Sequence, residues 1–188
     1  MLKTLRTILR GGIRSEPAPA ADPHRLPAQR LQTELRRRLG RALCIRQVDA
    51  GSCNACELEI HALNNPYYNL EGAGIRFVAS PRHADLLLVT GPVTRNMREA
   101  LLRTYQATPP PRLVVAVGQC ACDGGIFGES YASCGAVGNV IPVDATVPGC
   151  PPTPTAILQV IVDLVCGGSG HGEPVRPAAP LPAANPDG

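Results

Sequence analysis

Short apolar runs and segments with helical periodicity alternate along most of the chain. The apolar runs are rich in Val, Leu and Ile, which indicates strands buried on both faces, as in a parallel sheet. They cover residues 42–48, 74–78, 85–90, 112–117 and 140–143. Apolar residues recur at helical spacing in residues 56–63, 95–107 and 153–165. This alternation predicts an α/β fold with a doubly wound, mostly parallel, flavodoxin-like sheet.

Residues 1–14 carry a different pattern, with an apolar stripe beside a cationic one when drawn as a helix. The apolar residues are Leu2, Leu5, Ile8, Leu9 and Ile13, and the cationic residues are Lys3, Arg6, Arg10 and Arg14. The pattern is typical of an amphipathic basic arm that docks on a membrane surface or on a partner protein. A helix this short is marginal in isolation, so a solvated, frayed terminus is the alternative.

Composition divides the remaining chain into three parts. Residues 15–27 are rich in Pro and Ala and predict a semi-rigid linker. Leucines at every fourth position predict a second amphipathic helix over residues 28–41, and this helix begins the main domain, residues 28–166. Residues 167–188 are rich in Gly and Pro, and we expect a disordered tail there.

Charge is distributed unevenly, although the net charge is only +3. Residues 1–41 hold ten Lys and Arg against three acids, a net charge of +7, which leaves −4 for residues 42–188. A basic arm on an acidic body indicates an anionic partner, either lipid head groups or an acidic protein face. We expect no nucleic acid partner, because the arm has no aromatic residues for base stacking.

Several classes of protein do not fit the sequence. No apolar stretch reaches the roughly 20 residues that a membrane-spanning helix needs, and residues 1–14 lack the apolar core of a secretory signal. We therefore expect a cytoplasmic protein with reduced thiols. The glycine patterns of dinucleotide and P-loop phosphate sites are also missing from the sequence.

Four of the eight cysteines stand beside or close to Gly or Pro, in segments that must turn sharply. They are Cys53 and Cys56 in Gly51-Ser-Cys-Asn-Ala-Cys, Cys120 in Gly118-Gln-Cys, and Cys150 in Gly149-Cys-Pro-Pro. Three of them follow predicted strands, and loops beyond the carboxyl ends of parallel strands meet in one crevice. Soft thiolates select iron–sulfur clusters or zinc, and the spacing favours a single iron–sulfur cube.

Two other kinds of site remain open at this point. One is a redox-active Cys-x-x-Cys pair, and the other is a four-cysteine zinc site in a structural or assembly protein with no redox role. Structural zinc usually uses paired Cys-x-x-Cys knuckles, which only Cys53 and Cys56 form here. Cys122 could replace Cys120 as a ligand, and Cys134 could do so with less reason. The last two cysteines lie in apolar patterns and are expected to be small buried hydrophobic residues: Cys44 and Cys166.

In their order along the chain, the motifs Cys-x-x-Cys, Gly-x-Cys-x-x-x-Gly and Gly-Cys-Pro-Pro resemble the proximal-cluster signature of NiFe-hydrogenase small subunits. Residues 80–94, 118–125 and 140–153 also resemble the B or 20 kDa-type subunit of respiratory complex I. Complex I subunits carry two adjacent cysteines where this chain has Cys53-Asn-Ala-Cys56. This spaced form, followed by Glu-Leu-Glu-Ile, resembles small subunits of energy-converting hydrogenases of the group 4, hydrogenase-4 or formate-hydrogenlyase type.

The resemblance implies one 4Fe–4S cluster held by Cys53, Cys56, Cys120 and Cys150. It implies an electron-transfer subunit of an oxidoreductase complex, with no complete active site on this chain. The implied partners are a large catalytic subunit with a NiFe or quinone site, a ferredoxin-like 4Fe–4S subunit and membrane-embedded pump subunits. The implied location is peripheral, on the cytoplasmic side of the cell inner membrane.

Three more residues are candidates through the same resemblance. Glu59 matches an acidic residue of complex I three places after the second cysteine, which implies a proton path near the partner's active site. A surface or helix-capping role would explain Glu59 equally well. Arg82 and His83, in Ser80-Pro-Arg-His, are expected beside the cluster, where a cation would raise its potential. Packing against a partner is the alternative for these two residues.

Overall fold

A computed structural model describes residues 2–11 and 28–166 of the chain. The predicted linker, residues 15–27, and the predicted disordered tail, residues 167–188, lie outside the described residues. Within the two described ranges, no helix is both long and apolar enough to cross a membrane.

Five parallel strands form one sheet in the order β2-β1-β3-β4-β5. The strands are β1 (Leu43–Asp49), β2 (Ile75–Phe77), β3 (Leu86–Thr90), β4 (Leu113–Val117) and β5 (Ala145–Val147). The order is that of the flavodoxin-like doubly wound fold, and it confirms the predicted fold class. The chain reverses its direction of travel across the sheet beside β1, so the carboxyl ends of β1 and β3 flank the crevice where such folds bind ligands.

The helices of the described residues are α1 (Leu2–Gly11), α2 (Ala28–Leu39), α3 (Ala55–Ala62), α4 (Arg95–Ala107), α5 (Gln119–Asp123) and α6 (Pro154–Cys166). The first two precede β1, and α2 to α6 contribute residues to the core on the two faces of the sheet. Two 3-10 turns, Pro81–His83 and Val137–Asn139, complete the described elements.

The core consists of two aliphatic layers, one on each side of the sheet. All five residues of β3 are buried, which explains why this strand is a continuous apolar run. One layer includes Leu35 of α2, Ile60 of α3 and Ile157 of α6. The other includes Leu101 of α4 and residues of α5. Because Leu35 is only 1% exposed, the predicted second amphipathic helix packs into the main domain.

The strand predicted at residues 140–143 is wrong. The strand that pairs with β4 is β5, which begins at Ala145. Ile141 and Val143 are buried in the core as loop residues, so their apolar character reflects packing rather than sheet formation. Pro142 between them has no N–H group to donate to a neighbouring strand.

The side chain of Asp85, just before β3, forms hydrogen bonds at the amino end of β1. Its carboxylate accepts hydrogen bonds from the Cys44 backbone N–H, at 3.0 Å, and from the Arg41 guanidinium. The Asp85 side chain is only 15% exposed, so its removal leaves a poorly solvated N–H group without its partner.

We expect Asp85→Ala to lower the free energy of unfolding by about 1–3 kcal/mol, because an unpaired buried polar group costs that much. Glu99→Ala is the control, since it removes the exposed Glu99–Arg103 ion pair on α4. That change should cost no more than about 1 kcal/mol. Urea unfolding of both variants measures the two costs, and equal losses would contradict the role given to Asp85.

Candidate metal centre

The four candidate cysteines line one cavity at the carboxyl edge of the sheet. Cys53 and Cys56 come from the loop and helix after β1, Cys120 from α5 after β4, and Cys150 from the loop after β5. The cavity is shallow and opens to solvent, and about 350 Å³ within it and over its mouth is free of atoms. Its other lining residues carry no formal charge: Ser52, Ala55, Gly91, Pro92, Gln119, Phe127, Gly149 and Pro151.

The turn after β1 is fixed by side chains acting on the backbone. One oxygen of the Asp49 carboxylate accepts hydrogen bonds from the N–H groups of Gly51 and Ser52, each at 2.8 Å. The Ser52 hydroxyl then accepts from the Asn54 N–H at 3.1 Å. Asn54 has a left-handed backbone, with φ of 72°, and from there the chain enters α3. This turn sets the direction of the Cys53 and Cys56 side chains.

The loops after β4 and β5 are joined to each other by backbone hydrogen bonds. The Gly118 N–H donates to the Val147 carbonyl, and the Gln119 N–H donates to the Gly149 carbonyl, both at 2.8 Å. These bonds extend the pairing of the two strands past their ends. Cys120 and Cys150 are therefore held on adjoining loops although they lie far apart in sequence.

Two glycines allow the close packing of these loops. A β-carbon at Gly118 would lie 2.5 Å from the Cys56 sulfur, so only glycine leaves room for that sulfur at the cavity. A β-carbon at Gly91 would lie 2.4 Å from the Ser52 nitrogen, which would separate the loops after β1 and β3. Both glycines have positive φ angles, +91° and +74°, which other residues seldom adopt. The cysteine motifs include Gly118 as a turn residue beside Cys120, but they do not point to Gly91.

The thiols at the cavity influence one another electrostatically. Burial raises the pKa of the Cys56 thiol to about 11, and the negative charges of Glu57, Cys53, Cys120 and Cys150 add to this shift. Burial, followed by Cys150, Cys53 and Asp123, also raises the pKa of the Cys120 thiol. Thiolates gathered in this way need a positively charged centre among them to stay deprotonated.

The donor set fits a cluster with four cysteine ligands, the usual ligand set of a 4Fe–4S centre. Room at the Cys56 sulfur, kept open by Gly118, is a further sign of fit. In the described part of the chain, no group of three or more His, Cys, Asp or Glu side chains is arranged to hold one metal ion. This finding gives no support to a single zinc ion held by the same four cysteines.

The other cysteines in the described ranges do not line the cavity. Cys44 is buried in β1, as expected, and Cys134 packs against the aliphatic layer beside α4 and α5. The Cys122 thiol packs against the same layer and donates to the Ala116 carbonyl at 3.7 Å. Burial raises the pKa of Cys122 to about 11. The Cys122 side chain therefore points away from the cavity and is not placed to replace Cys120 as a ligand. The side chain of Cys166 lies outside the described residues.

The prediction that Arg82 and His83 lie beside the four cysteines is wrong. Both are exposed in the 3-10 turn that precedes β3, at the amino edge of the sheet. The cavity is at the carboxyl edge, one strand length or roughly 17 Å away. Glu59 is half-buried on α3, one turn after Cys56, and is not among the residues that line the cavity.

Glu57, next to Cys56, is a buried acid to which the sequence motifs do not point. It is 5% exposed, and neither carboxylate oxygen has a hydrogen-bond partner among the described residues. Because a buried carboxylate is costly without a partner, such a residue is a candidate for function. Acidic residues are common in the first turn of a helix, where they interact favourably with the helix dipole. Glu57 lies in the first turn of α3, so its place in the sequence offered no reason to single it out.

Residues 53–164, which include all four cavity cysteines, match the protein family described as NADH ubiquinone oxidoreductase, 20 Kd subunit. Over 128 residues the chain is 44% identical to formate hydrogenlyase subunit 7 of Escherichia coli, covering 68% of this chain and 50% of that protein. Over 124 residues it is 47% identical to a Pyrococcus furiosus protein named "Probable membrane-bound hydrogenase subunit mbhJ", covering 66% and 74%. The chain thus spans about half the length of the Escherichia coli relative.

A solved structure is also similar. It is a chain of the membrane-bound sulfane sulfur reductase, an archaeal respiratory membrane complex. The two share 31% sequence identity with a TM-score of 0.60, over 76% of this chain and 79% of that one.

Proposed function

Because the chain belongs to the family of the 20 kDa subunit of NADH ubiquinone oxidoreductase, we propose that it is an electron-transfer subunit of a membrane-associated respiratory oxidoreductase. The enzyme would be of the formate-hydrogenlyase or the NADH-quinone oxidoreductase kind. The convergence of Cys53, Cys56, Cys120 and Cys150 on one cavity carries this proposal.

Each part of the site has a role in this proposal. When bound, a 4Fe–4S cluster supplies a centre that takes up and gives back one electron. Cys53 and Cys56 would hold it from the β1 side, and Cys120 and Cys150 from the side of β4 and β5. Pro92, Phe127 and Pro151 provide apolar walls, which limit the access of water and so tune the reduction potential.

The open side of the cavity supports a large partner subunit as the electron donor or acceptor. Cys53 and Cys150 are exposed, so this chain alone leaves the site accessible. The loop after α5 adds exposed apolar side chains beside it: Ile126 is 95% exposed, Phe127 55% and Tyr131 94%. Apolar side chains next to a redox site are a suitable docking surface, because a partner that covers them also excludes water.

The same relatives support a location at a membrane. The names of the Pyrococcus furiosus protein and the sulfane sulfur reductase place those two proteins in membrane-bound assemblies. We propose that this chain attaches to the cytoplasmic side of the inner membrane as a peripheral subunit. Further partners in the proposal are a ferredoxin-like 4Fe–4S subunit and membrane-embedded pump subunits.

A redox titration of the chain together with its co-purifying subunits tests the electron-transfer role. We expect dithionite to bleach a brown chromophore, and a paramagnetic signal for one electron per chain to appear. The signal should vanish during turnover, because the reduced cluster passes its electron to the physiological acceptor. That acceptor is protons in a hydrogen-producing enzyme or quinone in a quinone-linked one. A reducible signal that never responds to turnover would contradict electron transfer while leaving the cluster in place.

A further inference from the structure

The surface of α1 is not used by the cluster site. Three leucines on one stripe of this helix face solvent, with Leu2 87%, Leu5 62% and Leu9 76% exposed. Large apolar side chains so exposed along one stripe indicate a surface that is covered in the working protein.

The charges beside this stripe identify what covers it. Lys3, Arg6 and Arg10 are exposed on the neighbouring stripe, and α1 contains no acidic residue. The hydroxyl of Thr7 donates to the Lys3 carbonyl at 3.0 Å, so part of the remaining polar surface is satisfied within the helix. An apolar stripe with cations along its side is complementary to an anionic lipid surface, where acyl chains lie directly beneath phosphates.

We propose that α1 lies flat on an anionic membrane surface and anchors the chain there. Leu2, Leu5 and Leu9 would enter the boundary between head groups and acyl chains, while Lys3 and Arg6 meet lipid phosphates. With ten residues the helix is about 15 Å long, enough to lie on a bilayer and too short to span one. This anchoring is independent of the cluster, since α1 precedes the residues that match the family.

Vesicle flotation of the full chain tests the anchor. The probes are vesicles of phosphatidylcholine alone and vesicles with phosphatidylglycerol added. We expect binding to the anionic vesicles only, weakened by salt. The variant Lys3→Gln/Arg6→Gln/Arg10→Gln should bind roughly 100-fold more weakly, since each cation near an anionic surface contributes about fivefold. The variant Leu5→Ser/Leu9→Ser should lose at least about tenfold.

The matched control is Arg36→Gln/Arg76→Gln/Arg82→Gln, which removes the same charge from exposed sites on the main domain. It should keep its binding to anionic vesicles. Equal binding of the α1 charge variant and the control would overturn the proposal, because total charge would then explain attachment. Failure of the full chain to bind either vesicle would also overturn it, and would instead favour an acidic protein face as the partner of α1.

Discussion

Replacing Cys120 with serine should abolish the cluster and most of the assembled protein. Serine presents a hard, shorter hydroxyl that stays protonated at neutral pH, whereas iron–sulfur sites select thiolates. Ligand binding also contributes folding free energy, so we expect a less stable chain as well as the loss of colour. The same result is expected for Cys53→Ser, Cys56→Ser and Cys150→Ser, because all four side chains line the cavity.

Cys122→Ser is the matched control, since Cys122 lies only two residues from Cys120 and its thiol bonds to the Ala116 carbonyl instead. Cys134→Ser and Cys44→Ser serve in the same way. Low-temperature EPR of the reduced proteins compares them. An unchanged spectrum in Cys120→Ser together with a lost one in Cys122→Ser would show that the wrong sulfur had been assigned.

Gly118→Ala should weaken cluster binding although no ligand is changed. The new β-carbon would lie 2.5 Å from the Cys56 sulfur, so that sulfur must move away from the cavity. Changes that displace a ligand through its supporting residues typically lower metal affinity about 10–100-fold. We therefore expect low iron occupancy after purification, and faster loss of iron to a chelator.

The control for backbone strain is Gly74→Ala. Gly74 has a φ of +84°, close to the +91° of Gly118, but a β-carbon there meets its nearest atom at 3.7 Å, an ordinary contact. Each change should cost about 1–3 kcal/mol of stability, because an L-residue resists a positive φ. Only Gly118→Ala should release iron. Equal iron retention in the two variants would mean that Gly118 does not position Cys56.

The sheet and the gathering of the four cysteines at one edge were predictable because both follow from general properties of parallel sheets. A buried parallel strand such as β4 is a continuous apolar run, and the ends of parallel strands gather at one edge whatever their separation in sequence. The Arg82 and His83 prediction was wrong for a reason visible in the sequence. Both residues precede a strand, which places them at the amino edge.

Other features depend on packing that the apolar pattern does not encode. The five residues of α5 are too few to show a helical period, and Ile141 and Val143 are buried without belonging to a strand. The contact that requires glycine at position 118 is with Cys56, which lies more than sixty residues away in sequence. Burial of Glu57 likewise depends on how α3 sits on the sheet, which the spacing of its neighbours does not specify.

The most direct test of the central claim is the metal content of the wild-type chain purified without oxygen. A 4Fe–4S cluster on Cys53, Cys56, Cys120 and Cys150 predicts about four irons and about four acid-labile sulfides per chain, with no zinc. One zinc per chain, with neither iron nor sulfide, would contradict the account and establish a structural zinc site in its place.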